Sequence, residues 1–260
     1  MNESHKEDKD SRLTVLDELL QTLPKETLPV KAIRVGPFLT MVCVGDERVE
    51  SSGCGLASTL ATHEPGRKNL VREVGTLEDL TAQKLAGLLK SNFPLEASIG
   101  LAALNAILEV PSSCYEEKPA IEMVFERGRN RRVAVVGHFP FVKKLRQEVK
   151  ELHVLELKDI PGDLPSSKAS EILPACDVIV LTATVLMNGT YREMLPLCDR
   201  AFMVMMGPSA PASPILWYYG VDVLAGSTVV DPGACLRAVS QGAGYRDLKG
   251  VKKWTWKRKN

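Results

Sequence analysis

Apolar residues fall into two regimes along this chain. In the first half, Leu13, Leu16, Leu19, Leu20 and Leu23 recur at helical spacing, and Pro24 stops that helix. Val30 to Val35 and Leu39 to Val44 then read as two short strands turned by Gly36-Pro37, with Gly45-Asp46 ending the second. The small residues of Ser51 to Ser58 mark a strand end or a loop where another backbone comes close. Thr76 with Asp79 resembles a capping box opening a helix through about Leu89. Glu96 to Val110 reads as a helix whose stripe of Ile99, Ala102, Ala103, Ala106 and Ile107 can pack tightly, and Pro111 ends it. The expected organisation is a mixed α+β unit over residues 11–112 and a linker over residues 113–130.

From Arg131 the rhythm becomes a regular alternation of strand and helix. Arg132–Val136, His153–Leu157, Val178–Leu181, Ala201–Met206 and Val221–Leu224 are continuous apolar runs. Such runs separated by helical patterns predict a parallel sheet buried on both faces, with right-handed crossovers. Thr190 with Glu193 suggests a capping box, and Ser213-Pro214 and Asp231-Pro232 each put a capping oxygen before a proline. The fold class expected is α/β: a Rossmann-like domain over residues 131–260 behind a smaller α+β domain.

Composition adds limits. The chain has 260 residues, 45% hydrophobic and 25% charged, enough to bury a core without staples. A formal net charge of +1 gives no field to recruit nucleic acid or membrane, and 5% aromatics argues against a base-stacking platform. The charged first ten residues lack a signal-peptide core and are expected to be disordered, so the reading is cytoplasmic. The basic end, Lys249 to Asn260, reads as a solvated tail whose Trp254 and Trp256 dock on the body. Its six cysteines form no CxxC pair and read as small buried hydrophobes, with a soft-metal site using Cys54 as the alternative.

Candidate chemistry gathers at the expected strand ends. These are Gly137-His138, Lys158-Asp159, Thr182-Ala183-Thr184 leading to Asn188, Gly207-Pro208-Ser209, and Gly226-Ser227-Thr228. Ligands of open α/β sheets bind outside the carboxyl ends of the strands, where glycine admits a close backbone and hydroxyls supply donors. Tight turns use the same residues for geometry alone, but several in succession favour a site. Asp159 lies at the spacing of a ribose-binding carboxylate, yet GxGxxG is absent and Pro140 removes an N–H, which disfavours NAD. His138 is a candidate base, metal ligand or wall residue. No catalytic triad order, P-loop or HExxH occurs, and no cofactor can be named from the sequence.

Three segments carry a resemblance: Val135 to Val142, Pro161 to Leu195, and Met205 to Pro232, together with Ala97 to Leu108 upstream. They resemble a family described as heavy-metal-chelation proteins. The resemblance implies an enolase-N-terminal-like domain joined to a Rossmann-like domain, with a site in the cleft between them. By position it implies Asn105, Gly137, His138, Thr182, Asn188, Gly207, Ser209 and Gly226 as site residues. Asn105, Asn188 and Ser209 are expected to face one shared pocket. The readings are a protein that binds or modifies a small polar or anionic ligand, a carrier of a metal or metal–chelate complex, and an S-adenosylmethionine- or nucleoside-dependent transferase. The partner expected is a small molecule or chelate, with a homo-oligomer as an open alternative.

Overall fold

The computed structural model describes residues 14–45, 53–61, 69–115, 117–157 and 159–259. Leu13, Asp46, Ser51, Ser52, Lys158 and the first ten residues, on which several expectations fall, lie outside them. The elements follow in chain order as α1 (Val15–Gln21), β1 (Val30–Val35), β2 (Leu39–Val44), β3 (Gly53–Ser58), α2 (Ala82–Gly87), α3 (Pro94–Ile107) and α4 (Ala120–Gly128). Then come β4 (Arg132–Val136), α5 (Val142–Leu145), β5 (Glu151–Glu156), β6 (Leu164–Pro165), α6 (Ala169–Ile172) and β7 (Val178–Thr182). The chain closes with α7 (Val185–Asn188), α8 (Tyr191–Met194), β8 (Phe202–Met206), β9 (Val221–Val229), α9 (Pro232–Ser240) and β10 (Val251–Lys257).

A three-stranded antiparallel sheet, in the order β1-β2-β3, packs on α3. The small residues explain how closely. A Cβ placed on Gly55 would sit 2.2 Å from the carbonyl oxygen of Ala102, and one on Gly53 would sit 2.3 Å from that of Ala106. The strand lies on the helix backbone itself, so α3 needs alanines and β3 needs glycines. The Thr76 capping box does not form: Leu77–Asp79 is a short 3-10 turn, and the helix begins after Thr81, whose hydroxyl caps Lys84 N–H.

The second sheet has seven strands in the order β10-β9-β8-β7-β4-β5-β6. All its pairs are parallel except β10 with β9. The order reverses between β4 and β7, the switch point at which open α/β sheets hold ligands. Val133, Val135, Val178, Val180 and Val204 bury one face, and Ala134, Ile179, Leu181, Met203 and Met205 the other. The basic end is not a free tail but strand β10, paired along its length with β9, and Trp256 packs edge-on against Trp217. Part of the expected linker is α4, which packs against this sheet. Asp231 caps α9 as its sequence promised, whereas Thr190 and Ser213 make no capping bond.

Two acidic anchors hold the N-terminal part. Glu96 is buried and accepts from Arg72 Nε, Arg72 Nη2, the Arg72 amide and Ser91 Oγ. Burial alone would push its carboxyl up; those bonds and the Arg72 charge outweigh burial and hold it below the ordinary value. Asp17 is held down by Lys90 and by Thr14, which it meets in a reciprocal cap of α1. Carboxyls depressed in the folded state add stability above their unfolded values and lose it as pH falls through the folded ones. The melting temperature should therefore hold steady above about pH 5 and fall progressively below about pH 4. A midpoint that is unchanged or higher at about pH 3 would contradict these roles.

Candidate functional site

A cavity of about 1370 Å³ opens at the carboxyl ends of the parallel strands. It is larger than the roughly 300–1,000 Å³ typical of pockets for drug-sized ligands. Gly137 and His138 enter it from the end of β4, Glu156 from β5, Thr182 and Thr184 from β7, Gly207 from β8 and Gly226 from β9. Phe38, Leu39 and Ser58 close it from the three-stranded sheet. Phe125, Phe139, Phe141 and Trp254 supply flat apolar wall, and Phe139 stacks on Phe141 with centroids 5.2 Å apart. Lys144, Arg246 and Lys253 bring positive charge, and none of them forms an ion pair among the described residues.

The switch point itself is built around His138. Gly137 takes φ +99°, in the left-handed region, and its amide donates to Leu155 O at 2.9 Å, which ends β4 in a sharp turn. The next amide, of His138, donates to Glu156 Oε1 at 2.7 Å. Pairing of β6 beside the end of β5 brings Asp163 alongside, and its Oδ2 lies 2.7 Å from His138 Nδ1. A carboxylate only accepts, so Nδ1 carries the proton of this bond, and in the neutral ring Nε2 is the nitrogen left with a lone pair. The Asp163 side chain is 5% exposed and that of His138 49%, so a sheltered carboxylate holds a reachable ring. Thr182 Oγ1 and Thr184 Oγ1 are 3.1 Å apart across the turn after β7.

The structure divides the residues expected from sequence. Gly137, His138, Thr182, Thr184, Asn188, Gly207 and Gly226 line the one cavity. Asn188 is exposed there and accepts from the amide and hydroxyl of Thr190, a local turn where a capped helix start was expected. Ser209 does not join them. It is buried, and its Oγ accepts from Ser58 N at 2.8 Å, tying β3 to the loop after β8. Asn105 and Ser227 lie in a separate cavity of about 340 Å³ with Cys54 and Tyr115. Asn105 Nδ2 donates to Leu56 O there, which corrects the expectation of one pocket shared by Asn105, Asn188 and Ser209. Asp159 is exposed and outside both linings; the carboxylate at the end of β5 is Glu156, three residues earlier. Asp163 and Glu156 were the residues sequence reasoning missed. Glu156 closes β5 and Asp163 follows it, and only those positions point to them.

Two of the six cysteines depart from expectation, and the other four are buried as expected. Cys43 and Cys54 face each other across β2 and β3 with Cα atoms 4.1 Å apart, and their sulfurs are bonded. Cys54 is thereby removed from the soft-metal role. Cys114, Cys176, Cys198 and Cys235 are buried free thiols. Burial pushes Cys176 up to about 11 and Cys198 up to about 12, so both are protonated thiols near neutral pH. Among the described residues, no three His, Cys, Asp or Glu side chains gather where they could hold a metal ion. No helix of the described residues is long and apolar enough to cross a membrane.

Family comparison bears directly on this site. Residues 119–256 match the model of the DUF364 family, described as "Putative heavy-metal chelation". The chain belongs to that family. Residues 16–108 match a second model, DUF4213, with the same description. A DUF364-family protein of unknown function from Desulfitobacterium hafniense DCB-2 has a similar structure, with TM-score 0.77 and 27% identity over 94% of this chain and 97% of its own. Another, from Pyrococcus horikoshii, shares the fold with TM-score 0.77 at 20% identity, over 94% of this chain and 98% of its own. No curated protein matches. The residues that DUF364 spans include β4 to β9, and hence most of the large cavity's wall.

Proposed function

We propose that this protein binds an organic chelator, free or loaded with a heavy metal, in the large cavity at the strand ends. The observation that carries the reading is the size and lining of that cavity at the point where strand order reverses. A bare ion has no use for about 1370 Å³. The protein side chains fit a bare ion poorly as well. A tight zinc site takes three or four protein ligands, and the carboxylates nearest His138 are already committed. Asp163 holds Nδ1, and the two oxygens of Glu156 accept from the amides of His138 and Leu157. Lys144, Arg246 and Lys253 suit the carboxylate arms of a chelator, and the phenylalanines suit its carbon frame. On this reading the family's link to heavy metals runs through the bound molecule.

The transferase reading is weaker, because Asp159 lies outside the cavity and Glu156 spends both oxygens on amides. Titration calorimetry with Zn²⁺, Ni²⁺ and Co²⁺ alone tests the main one. Each bare ion should bind more weakly than micromolar. A stoichiometric affinity far tighter than micromolar, abolished by His138→Ala, would return chelation to the protein itself.

A further inference from the structure

We infer that His138 supplies a single protein ligand, through Nε2, to a metal ion already held by the organic chelator; the inference rests on the cavity reading above. The ring is prepared for that task. Its Nδ1 is held at 2.7 Å by Asp163, whose side chain is 5% exposed, and its backbone amide is held at 2.7 Å by Glu156. A carboxylate on one imidazole nitrogen fixes the ring's orientation and tautomer, and makes the other nitrogen a better donor. Histidines that bind metals through one nitrogen commonly have such a partner on the other.

Nε2 meets no partner among the described residues, while the ring lines the large cavity. The contrast with His153 is informative, because its Nε2 lies 3.1 Å from Glu151. With Nδ1 committed to Asp163, the ring has one nitrogen to offer. No third His, Cys, Asp or Glu gathers with His138 and Asp163 to complete a shell among the described residues. One imidazole cannot capture a bare ion tightly, but it can fill the open position of an ion whose other positions a chelator occupies. Such a protein would distinguish a loaded chelate from an empty one, since only the loaded form gains the bond to Nε2. Asp163 is then a positioning residue, acting through the ring.

Two anionic probes separate this inference from the reading beneath it. Copper(II) nitrilotriacetate keeps an open coordination position. Cobalt(III) ethylenediaminetetraacetate has none. The copper complex should bind the wild-type chain and show an imidazole nitrogen in its electron spin-echo spectrum. His138→Ala should weaken it by more than tenfold and erase that signal. Asp163→Asn should weaken it by about tenfold while keeping an altered nitrogen signal, the scale expected on losing the partner behind a ligating histidine. The cobalt complex should bind wild type, His138→Ala and Asp163→Asn alike, which also establishes that the variants are folded. His138→Gln keeps a polar side chain of similar reach and should behave as His138→Ala does. Copper binding with its nitrogen signal intact in His138→Ala would overturn the inference and leave the cavity reading standing. Failure of both complexes to bind wild type would remove the cavity reading for anionic chelates, and the inference with it.

Discussion

Gly55→Ala should destabilise the protein by about 3 kcal/mol or more, at or beyond the upper end of ordinary overpacking. The new methyl would lie 2.2 Å from Ala102 O, 2.3 Å from Ala106 N and 2.6 Å from Asn105 C. All three are backbone atoms of α3, so no side chain can turn aside. Either β3 lifts from the helix or the helix moves, and both shifts disturb the loop tied to Ser58 through Ser209. Gly87→Ala is the matched control. A Cβ there meets nothing within 4 Å, and the residue ends α2 with ordinary helical geometry. That variant should be neutral or gain up to about 1 kcal/mol. Chemical denaturation of both decides the matter. A Gly55→Ala loss below about 1 kcal/mol would mean that the strand–helix contact is not the tight one described.

Trp254→Ala should be comparably costly, by about 3–5 kcal/mol. The indole is 4% exposed and packs on Gly226, where a Cβ would come within 2.6 Å of Cζ2. It anchors β10 to β9 and stands in the wall of both the large and the small cavity. Removing it leaves a hole that joins the two, so the variant should lose stability and hold a cavity ligand less well. Trp254→Phe should recover most of the stability, because no hydrogen bond to Nε1 is lost. If Trp254→Phe were as damaging as Trp254→Ala, the indole nitrogen would have a partner the packing argument omits.

These two positions show what the sequence makes legible. The glycines of β3 and the alanines of α3 announce a close approach, because small residues in register have few other uses. The five parallel strands are equally plain, since a strand buried on both faces must be apolar throughout. Strand β10 was hidden because it is an edge strand rich in lysine, which is how an edge stays soluble and also how a free tail looks. The candidate site is half legible. Glycines and threonines at strand ends follow from the fold, and they line the cavity where expected. Asp163 was not legible, because its meeting with His138 depends on the two-residue strand β6 lying beside β5. Asn105 sits close to the expected place but on the wrong side of a wall. Chain position set its helix and its face, while the indole of Trp254 stands between its cavity and the large one.

Whether the large cavity holds an organic molecule decides between a chelate-binding protein and a direct metal binder. Native mass spectrometry of the protein purified without denaturation, paired with elemental analysis of the same sample, asks this most directly. The expected result is an added organic mass, with or without a metal, that is lost on unfolding. It should be reduced in Thr184→Trp, whose indole intrudes on the cavity beside the β7 turn, while the variant melts near the wild-type temperature. A stoichiometric metal ion with no organic mass, retained in Thr184→Trp, would contradict the account and place chelation in the protein's own side chains.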